Sequence, residues 1–214
     1  AEHGIVVVAP DTSPRGPDLD GNEVADDEAW DLGSGAGFYV NATEAPWSRH
    51  YRMYDYIVDE LRAVVADALP IDPYRQSVFG HSMGGHGALM IALRNPEMFR
   101  SVSVLAPICN PTATDLGKKV FGAYLGDDTA AWARYDALEL IKAGHRAPPI
   151  LIDQGDNDDF YKAGAMRLEA FAEACEGTGQ PLSIRMQPGY DHGYFFVQTF
   201  TGDHIAHHAR ALAA

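Results

Sequence analysis

The chain of 214 residues carries a formal net charge of −14, and 46% of its residues are hydrophobic. Its basic residues form no cluster, which argues against nucleic acid or an anionic membrane as a partner, because phosphate binding needs grouped Lys and Arg. No apolar run approaches the roughly 20 residues that span a bilayer. We therefore expect a soluble protein with a single domain over residues 1–214.

Cysteine use indicates the compartment. The chain has two cysteines, Cys109 and Cys175, which are too few for a disulfide framework. Secreted domains of modest size often depend on several disulfides, whereas cytosolic proteins keep their thiols reduced. We therefore expect a cytoplasmic protein.

The first predicted element is a buried strand at residues 5–9, a β-branched run typical of parallel sheets that are covered on both faces. Such strands normally lie inside a sheet, so we expect further strands before it, in an N-terminally incomplete domain. A long segment rich in Gly, Asp and Pro follows over residues 11–46. Its aromatic side chains predict an ordered loop packed on the protein body. They are Trp30, Phe38, Tyr39 and, just beyond, Trp47.

The rest of the chain alternates predicted strands with predicted helices. Strands are expected at residues 77–79, 102–106, 150–153 and 182–186. Helices are expected at residues 47–69, 87–93, 130–142, 163–175 and 195–212. Residues 111–126 are predicted to be irregular. This alternation indicates an α/β fold with a mostly parallel, doubly wound sheet and helices on both faces.

The stretch that points to chemistry is residues 77–95, S-V-F-G-H-S-M-G-G-H-G-A-L-M-I-A-L-R-N. Within it, residues 80–84 fit G-x-S-x-G, which describes a serine, here Ser82, raised on a sharp strand-to-helix turn. We expect a Cβ at Gly80 or Gly84 to crowd the neighbouring strand and helix. The first amides of the helix would face a developing negative charge. The alternative is a plain glycine-rich turn.

A serine hydroxyl needs a base, and the base needs an acidic residue to orient it. In α/β-hydrolases the acid and then the histidine follow the serine along the chain, near strand ends. His192, in the loop after the last predicted strand, is the preferred base; the alternative is a histidine that caps the closing helix. For the acid, Asp158 leads Asp156 and Asp159, since three residues past Gly155 a side chain reaches back over the sheet. The residues alone separate these three only weakly.

Three other kinds of site do not fit. The G-S-G-A-G run at residues 33–37 lacks the spacing of a dinucleotide-binding motif and follows no strand. An EF-hand at the aspartate cluster fails, because Tyr161 stands at the turn glycine and Arg167 at the closing glutamate. Three histidines of the closing helix have no second ligand group nearby, so we interpret them as a polar face rather than a metal site. They are His204, His207 and His208.

Several segments together carry a resemblance to a known family. They are residues 9–16 (A-P-D-T-S-P-R-G), 30–43 (W-D-L-G-S-G-A-G-F-Y-V-N-A-T), 51–54 (Y-R-M-Y), 80–89 (G-H-S-M-G-G-H-G-A-L), 106–111 (A-P-I-C-N-P), 151–158 (L-I-D-Q-G-x-x-D) and 189–192 (G-Y-D-H). On these residues the chain resembles the esterase D family of α/β-hydrolases, the S-formylglutathione hydrolases. The resemblance implies an α/β-hydrolase fold whose N-terminal strands are missing from these 214 residues.

The resemblance also implies an activity. Members of this family hydrolyse the thioester S-formylglutathione to glutathione and formate, a step of formaldehyde detoxification, through a formyl-enzyme intermediate. They need no metal or organic cofactor and tend toward homodimers. Two rival expectations remain, a general short-acyl carboxylesterase of the same fold and an inactive, truncated α/β binding module.

Carried over position by position, the resemblance assigns roles to individual residues. It makes Ser82 the nucleophile, His192 the base and Asp158 the orienting acid. It makes the backbone amide of Met83 one donor of the oxyanion hole. Family members take a second donor from an early loop, typically S-G-L-T, which does not occur in these residues.

Overall fold

The computed structural model describes residues 3–214 and contains a sheet of four parallel strands in the order β1-β2-β3-β4. The strands are β1 Val78–His81, β2 Val102–Leu105, β3 Ile150–Gly155 and β4 Leu182–Gln187. The register aligns Val102 of β2 with Val78 on one side and with Ile150 on the other. Because the strands are parallel, their carboxyl ends meet at one edge of the sheet, where functional side chains gather in such folds.

Helices cover both faces of this sheet, as predicted. They are α1 Met53–Asp55, α2 Leu61–Ala68, α3 Met83–Arg94, α4 Asp115–Leu125, α5 Thr129–Ala133, α6 Ala137–Lys142, α7 Asp159–Lys162, α8 Leu168–Thr178 and α9 Tyr194–Ala213. Side chains alternate between the faces along a strand. Val102 and Val104 join the main core with α3, α6 and α8, whereas Leu105 packs with Phe196 of α9. The predicted α/β fold is confirmed. Within the described residues, no helix combines the length and the apolar character that crossing a membrane requires.

The prediction of a strand at residues 5–9 is wrong. These residues form no strand, and the side chains of Val6, Val7 and Val8 are 54%, 54% and 41% exposed. β-branched residues favour a strand only where a neighbouring strand and a covering layer receive them. Among the described residues, these valines pair with no strand of the sheet.

The loop over residues 11–46 packs on the protein body as predicted, with one exception. Phe38 is 3% exposed, whereas Trp30 is 74% exposed and does not contribute to the core. Tyr39 lies across α3 at Gly87, where a Cβ would stand 2.3 Å from the tyrosine ring. This glycine therefore lets the loop lie directly on the helix that follows Ser82.

The helix predicted over residues 47–69 and the irregular segment predicted over residues 111–126 are both wrong, because the contacts that decide them are not visible in the residue pattern. The helix predicted over residues 47–69 begins only at Met53, after a 3-10 turn at Trp47–Arg49, because Arg52 pairs with Asn41 in a β-bridge. A π-helical segment, Tyr56–Glu60, then joins α1 to α2. Residues 111–126 are not irregular. They contain a 3-10 turn, Pro111–Ala113, and α4, which Thr114 caps by accepting from the Gly117 amide at 3.0 Å.

Two further helices differ from their predicted bounds, one of them because an aspartate caps a new helix start. Residues 130–142 form α5 and α6 instead of one helix, because Asp136 accepts from the amide of Glu139 and starts α6. The helix predicted at residues 163–175 begins at Leu168, and the short α7 before it is capped by Asp158.

The prediction that the histidines of α9 form a polar face is wrong for two of them. His204 and His208 are 0% and 3% exposed. His208 bonds Ser101 Oγ at 2.8 Å and Ser103 Oγ at 2.7 Å. His204 bonds Ser103 Oγ at 2.7 Å and Asp153 Oδ2 at 3.0 Å. This buried chain of hydrogen bonds fastens α9 to β2 and β3, and it thereby fixes the loop that precedes α9.

His86 is a fully buried histidine of α3 whose ring nitrogens have no hydrogen-bond partner among residues 3–214. Its ring lies between Phe38 and Phe121, at centroid distances of 6.0 and 6.1 Å. Burial lowers the pKa of His86 to about 4 and outweighs the opposing effect of the nearby Phe38 backbone. The folded chain keeps this ring neutral, whereas the unfolded chain protonates it below about pH 6.5. The contribution of His86 to stability is therefore lost as the pH falls from about 6.5 to about 4.

We expect His86→Met to weaken this loss of stability in acid. At pH 7 the free energy of unfolding should stay equal or rise, because Met buries no polar ring nitrogens and fills irregular space. Between about pH 6.5 and pH 4, the free energy of unfolding should fall less steeply in the variant than in the wild type. The two slopes should differ by about 1.4 kcal/mol per pH unit. Urea unfolding at a series of pH values measures this, with the exposed His3→Gln as the control. An unchanged slope in His86→Met would contradict the assignment.

Candidate active site

Ser82 lies between the end of β1 and the start of α3, with a backbone φ of 55° and ψ of −116°. A positive φ is strained for a residue with a Cβ, and such strain persists only where the surroundings enforce it. Here the Ser82 amide donates to Leu105 O at the end of β2, at 2.9 Å, and Ser82 O accepts from the His86 amide at 2.9 Å. This is the sharp turn expected of G-x-S-x-G, and it raises the hydroxyl above the carboxyl edge of the sheet.

The glycines of this turn differ in their need for space. A Cβ at Gly80 would stand 2.2 Å from Gly84 O, so this position has no room for a side chain. The same expectation for Gly84 is wrong, since its Cβ would meet only Tyr39 Oη at 3.8 Å, an ordinary contact. The crowding lies one residue further on, where a Cβ at Gly85 would meet Pro107 Cβ at 2.9 Å.

Two matched substitutions test this difference. Gly80→Ala should destabilise the fold by about 1–3 kcal/mol or more, because the added methyl group overlaps backbone that cannot move freely. Gly84→Ala should be neutral or stabilising by up to about 1 kcal/mol, since alanine favours a helix over glycine. Urea unfolding of both variants compares them directly. Equal losses of stability would contradict the packing described for the turn.

The structure brings Ser82, His192 and Asp158 together in one line of hydrogen bonds. His192 Nε2 lies 2.8 Å from Ser82 Oγ, and His192 Nδ1 lies 2.6 Å from Asp158 Oδ2. A carboxylate only accepts, so Nδ1 carries the proton and Nε2 is free to accept from the hydroxyl. The arrangement allows His192 to remove the proton from Ser82 while Asp158 holds the ring in the required tautomer.

Two strand-end loops position the acid and the base. Asp158 is fully buried and caps α7, its Oδ1 accepting from the amides of Phe160 and Tyr161 at 2.8 and 3.2 Å. Gly155, at the end of β3, lets the two loops touch, because a Cβ there would stand 2.2 Å from Tyr190 O. The loop that carries His192 is thus seated directly against the loop that carries Asp158.

The environment of Asp158 favours its charged form. Burial by itself raises the pKa of this carboxyl, but the hydrogen bond and charge of His192 and the donors from Gln154 and Tyr161 outweigh burial. The net effect is a pKa below its usual value. Asp158 is therefore a carboxylate at neutral pH and can stabilise a positive charge on His192.

The alternatives considered for acid and base lie elsewhere. Asp156 is exposed and accepts from the amide of Gly189 at 2.7 Å, and the side chain of Asp159 is 97% exposed. His192 does not cap the closing helix, since Gly193 is the N-cap of α9 and that end has no side-chain cap.

Two aromatic rings pack against His192. His81 lies 4.7 Å from it between ring centroids, and Phe160 lies 4.9 Å away with its ring at 61°. Burial and the neighbouring His192 lower the pKa of His81 to about 4, so that this ring is neutral at physiological pH. His192 can therefore become positively charged without facing a second cation on this side.

Met83 supplies the first amide of α3. As the first residue of the helix, it has no acceptor for its N–H within the helix. The partial positive charge at a helix N-terminus adds to the pull of this amide on an anion. The position beside Ser82 suits a donor to an oxyanion that forms on a bound carbonyl.

The residue pattern alone does not indicate the roles of Gln154 and Phe160. Gln154 Nε2 lies 3.1 Å from Asp158 Oδ2, and Phe160 contacts the ring of His192. The sequence does carry a signal for Gln154, because buried parallel strands are normally apolar throughout and β3 contains the polar pair Asp153-Gln154. No group of three or more His, Cys, Asp or Glu side chains in the described part of the chain is arranged to hold a metal ion.

The chain is similar to known proteins along its whole length. The family described as "Putative esterase" matches residues 1–207. S-formylglutathione hydrolase from Mus musculus is 53% identical over 215 residues, covering 100% of this chain and 75% of that protein. The chain belongs to the S-formylglutathione hydrolase family. The enzyme of that name from Paracoccus denitrificans is 52% identical over 99% of this chain and 74% of its own length.

Solved structures agree with this assignment to the S-formylglutathione hydrolase family. An S-formylglutathione hydrolase from Agrobacterium tumefaciens superimposes with a TM-score of 0.93 at 50% identity, over 99% of this chain and 74% of that one. The serine hydrolase FphF of Staphylococcus aureus, at 22% identity and a TM-score of 0.67 over 83% of this chain and 69% of that one, shares the fold. The resemblance and the α/β-hydrolase fold stated from the residues are confirmed.

Proposed function

We propose that this chain hydrolyses the thioester S-formylglutathione to glutathione and formate. The observation that carries the proposal is the line of hydrogen bonds from Ser82 Oγ through His192 to Asp158, with 2.8 and 2.6 Å between the bonded atoms. The substrate follows the relatives from mouse and Paracoccus denitrificans, which bear the name of this hydrolase at 53% and 52% identity. This reaction would serve the detoxification of formaldehyde.

In the first half-reaction, Ser82 Oγ attacks the formyl carbon while His192 Nε2 takes the hydroxyl proton. The negative charge moves to the formyl oxygen, where the Met83 amide can donate to it. The tetrahedral intermediate then breaks its C–S bond, and His192 gives its proton to the leaving sulfur. A thiolate is a good leaving group, since thiols have a pKa near 8.5. Free glutathione departs, and the formyl group remains as an ester on Ser82.

In the second half-reaction, water takes the place of glutathione. His192 Nε2 removes a proton from the water as its oxygen attacks the formyl ester. The second tetrahedral intermediate breaks the bond to Ser82 Oγ, which recovers its proton from His192. The product leaves as formic acid, which releases its proton to the solvent to give formate, and the starting state is restored. Asp158 remains a carboxylate throughout, because its role is to orient the ring and to balance the positive charge that His192 carries between these steps.

The proposal includes a cellular setting. We place the activity in the cytoplasm, because Cys109 and Cys175 are both free and buried, as thiols are in a reducing compartment. The mechanism uses protein side chains and water, and we assign no metal or organic cofactor to it. In keeping with the family resemblance, we propose a homodimer that acts on a small molecule and binds neither nucleic acid nor membrane.

The substrate is tested by comparing kcat/KM for S-formylglutathione with kcat/KM for p-nitrophenyl acetate. The proposal expects a clear preference for the thioester. A clear preference for the oxygen ester would instead assign the chain to general short-acyl carboxylesterases. Folded protein that turns over neither substrate and reacts with no fluorophosphonate probe would indicate a binding module on the same scaffold.

A further inference from the structure

Gln154 is a glutamine placed in a buried strand beside the carboxylate of Asp158. It is the fifth residue of β3 and is 0% exposed. Its Nε2 lies 3.1 Å from Asp158 Oδ2 and 3.1 Å from Gly155 O. Its Oε1 is buried and has no hydrogen-bond partner among the residues that the structure describes. A buried acceptor without a hydrogen bond destabilises the fold, so a glutamine at this core position points to a role for its amide beyond packing.

The orientation of this amide follows from its neighbours. Asp158 Oδ2 and Gly155 O are both acceptors, and both face the same end of the Gln154 side chain. Only the NH2 group can bond them, because the opposite orientation would set Oε1 against a carboxylate and a carbonyl. The unpartnered Oε1 is therefore the cost of directing an N–H at Asp158. The hydrogen bond that results is assisted by the negative charge of the carboxylate, which makes it stronger than a neutral one.

The two oxygens of Asp158 are held in different ways. Oδ1 accepts from the backbone amides of Phe160 and Tyr161, and Oδ2 accepts from His192 Nδ1 and from Gln154 Nε2. The backbone bonds alone leave the carboxylate free to rotate Oδ2 away from the histidine. The second donor on Oδ2 removes this freedom, since a rotation would break the bond to Gln154.

We propose that Gln154 is a positioning residue for His192, acting through Asp158; this inference rests on the proposed function of the Ser82, His192 and Asp158 line. Gln154 holds Oδ2 in the place where it meets the Nδ1 proton. It also stabilises the charged form of Asp158, so that the proton stays on Nδ1 when His192 becomes positively charged. Gln154 itself touches neither the substrate nor the reacting oxygen.

The test compares Gln154→Met and Gln154→Glu with Gln187→Met. Gln187 is a matched control, because it lies at the end of β4 and its Nε2 donates to a different aspartate, Asp153 Oδ1, at 3.0 Å. In Gln154→Met we expect kcat to fall about 10- to 100-fold, the range for a hydrogen bond to a charged group, with KM little changed. Gln154→Glu should lose more activity at high pH than at low pH, since only its protonated form donates to Asp158. Gln187→Met should leave kcat and KM unchanged.

A spectroscopic reading separates positioning from a general loss of structure. The proton shared by His192 Nδ1 and Asp158 should give a low-field resonance in the proton NMR spectrum of the wild-type chain. We expect it to move upfield or broaden in Gln154→Met and to stay in place in Gln187→Met. A folded Gln154→Met with an unchanged resonance and an unchanged kcat would overturn the proposal. If Gln154→Met does not fold, the pH dependence of the near-isosteric Gln154→Glu decides, and a parallel pH profile would overturn it.

The two proposals can fail separately. The kinetics of the Gln154 variants can be measured with p-nitrophenyl acetate, and the NMR resonance needs no substrate. A chain that prefers oxygen esters would therefore refute the thioester substrate and leave the role of Gln154 standing. A wild-type chain that prefers S-formylglutathione while Gln154→Met retains full activity would refute only the role of Gln154.

Discussion

Ser82→Ala is expected to lower kcat for S-formylglutathione about 10⁶-fold, which is the loss seen when the nucleophile of a serine hydrolase is removed. The hydroxyl is the atom that forms the covalent formyl ester, and no other hydroxyl of the described chain is bonded to His192. Because the fold keeps the remaining contacts of the turn, stability should change little. Steady-state kinetics and urea unfolding on the same preparation measure both quantities.

The control for this substitution is Ser183→Ala. Ser183 is exposed on β4 and has no role in the proposed mechanism. It should retain the wild-type kcat. Substantial thioester hydrolysis by folded Ser82→Ala would contradict the role proposed for Ser82. It would point instead to direct attack by water with His192 as the base, a route without a covalent intermediate.

Asp158→Asn is expected to lower kcat about 10⁴-fold at neutral pH, the loss known for the equivalent change in a Ser-His-Asp enzyme. An asparagine can place its NH2 group toward His192 Nδ1, which would then have to accept. The proton would move to Nε2, and that nitrogen could no longer take the proton of Ser82. The size of the effect therefore comes from the wrong tautomer and from the missing negative charge.

Asp159→Asn is the matched control, since it makes the same chemical change one residue away on a side chain that is 97% exposed. It should leave kcat unchanged. If Asp158→Asn kept full activity and Asp159→Asn lost it, the choice between the neighbouring aspartates would be wrong. The fold of Asp158→Asn must be checked by urea unfolding, because this side chain also caps α7.

Much of the candidate site could be predicted from local patterns. G-x-S-x-G names Ser82 because the turn itself requires it, and His192 follows from its place after the last strand. The choice of Asp158 over Asp156 and Asp159 was not decided by spacing. It depends on which carboxylate is buried and bonded to His192, and this follows from the packing of two loops that are distant in the sequence, seen where Gly155 meets Tyr190. The family resemblance selected Asp158 where local reasoning could not.

The features that could not be predicted depend on contacts between distant residues. His204 and His208 were predicted to lie on a polar face because their hydrogen-bond partners, Ser103 of β2 and Ser101 just before it, are far away in the sequence. Gln154 looks like an ordinary polar residue until Asp158 is seen beside it. The valines at residues 5–9 show the opposite error, since a strong strand propensity produced no strand without a partner in the described residues.

The most direct test of the account is to map where a fluorophosphonate probe attaches to the wild-type chain. We expect a single labelled peptide that contains Ser82, no labelling of Ser82→Ala, and protection of the wild type by S-formylglutathione present in excess. Asp158→Asn should be labelled much less than the wild type, whereas Asp159→Asn should be labelled to the same extent as the wild type. Labelling of a different residue, or folded wild-type chain that takes up no probe, would contradict the proposed nucleophile and with it the proposed function.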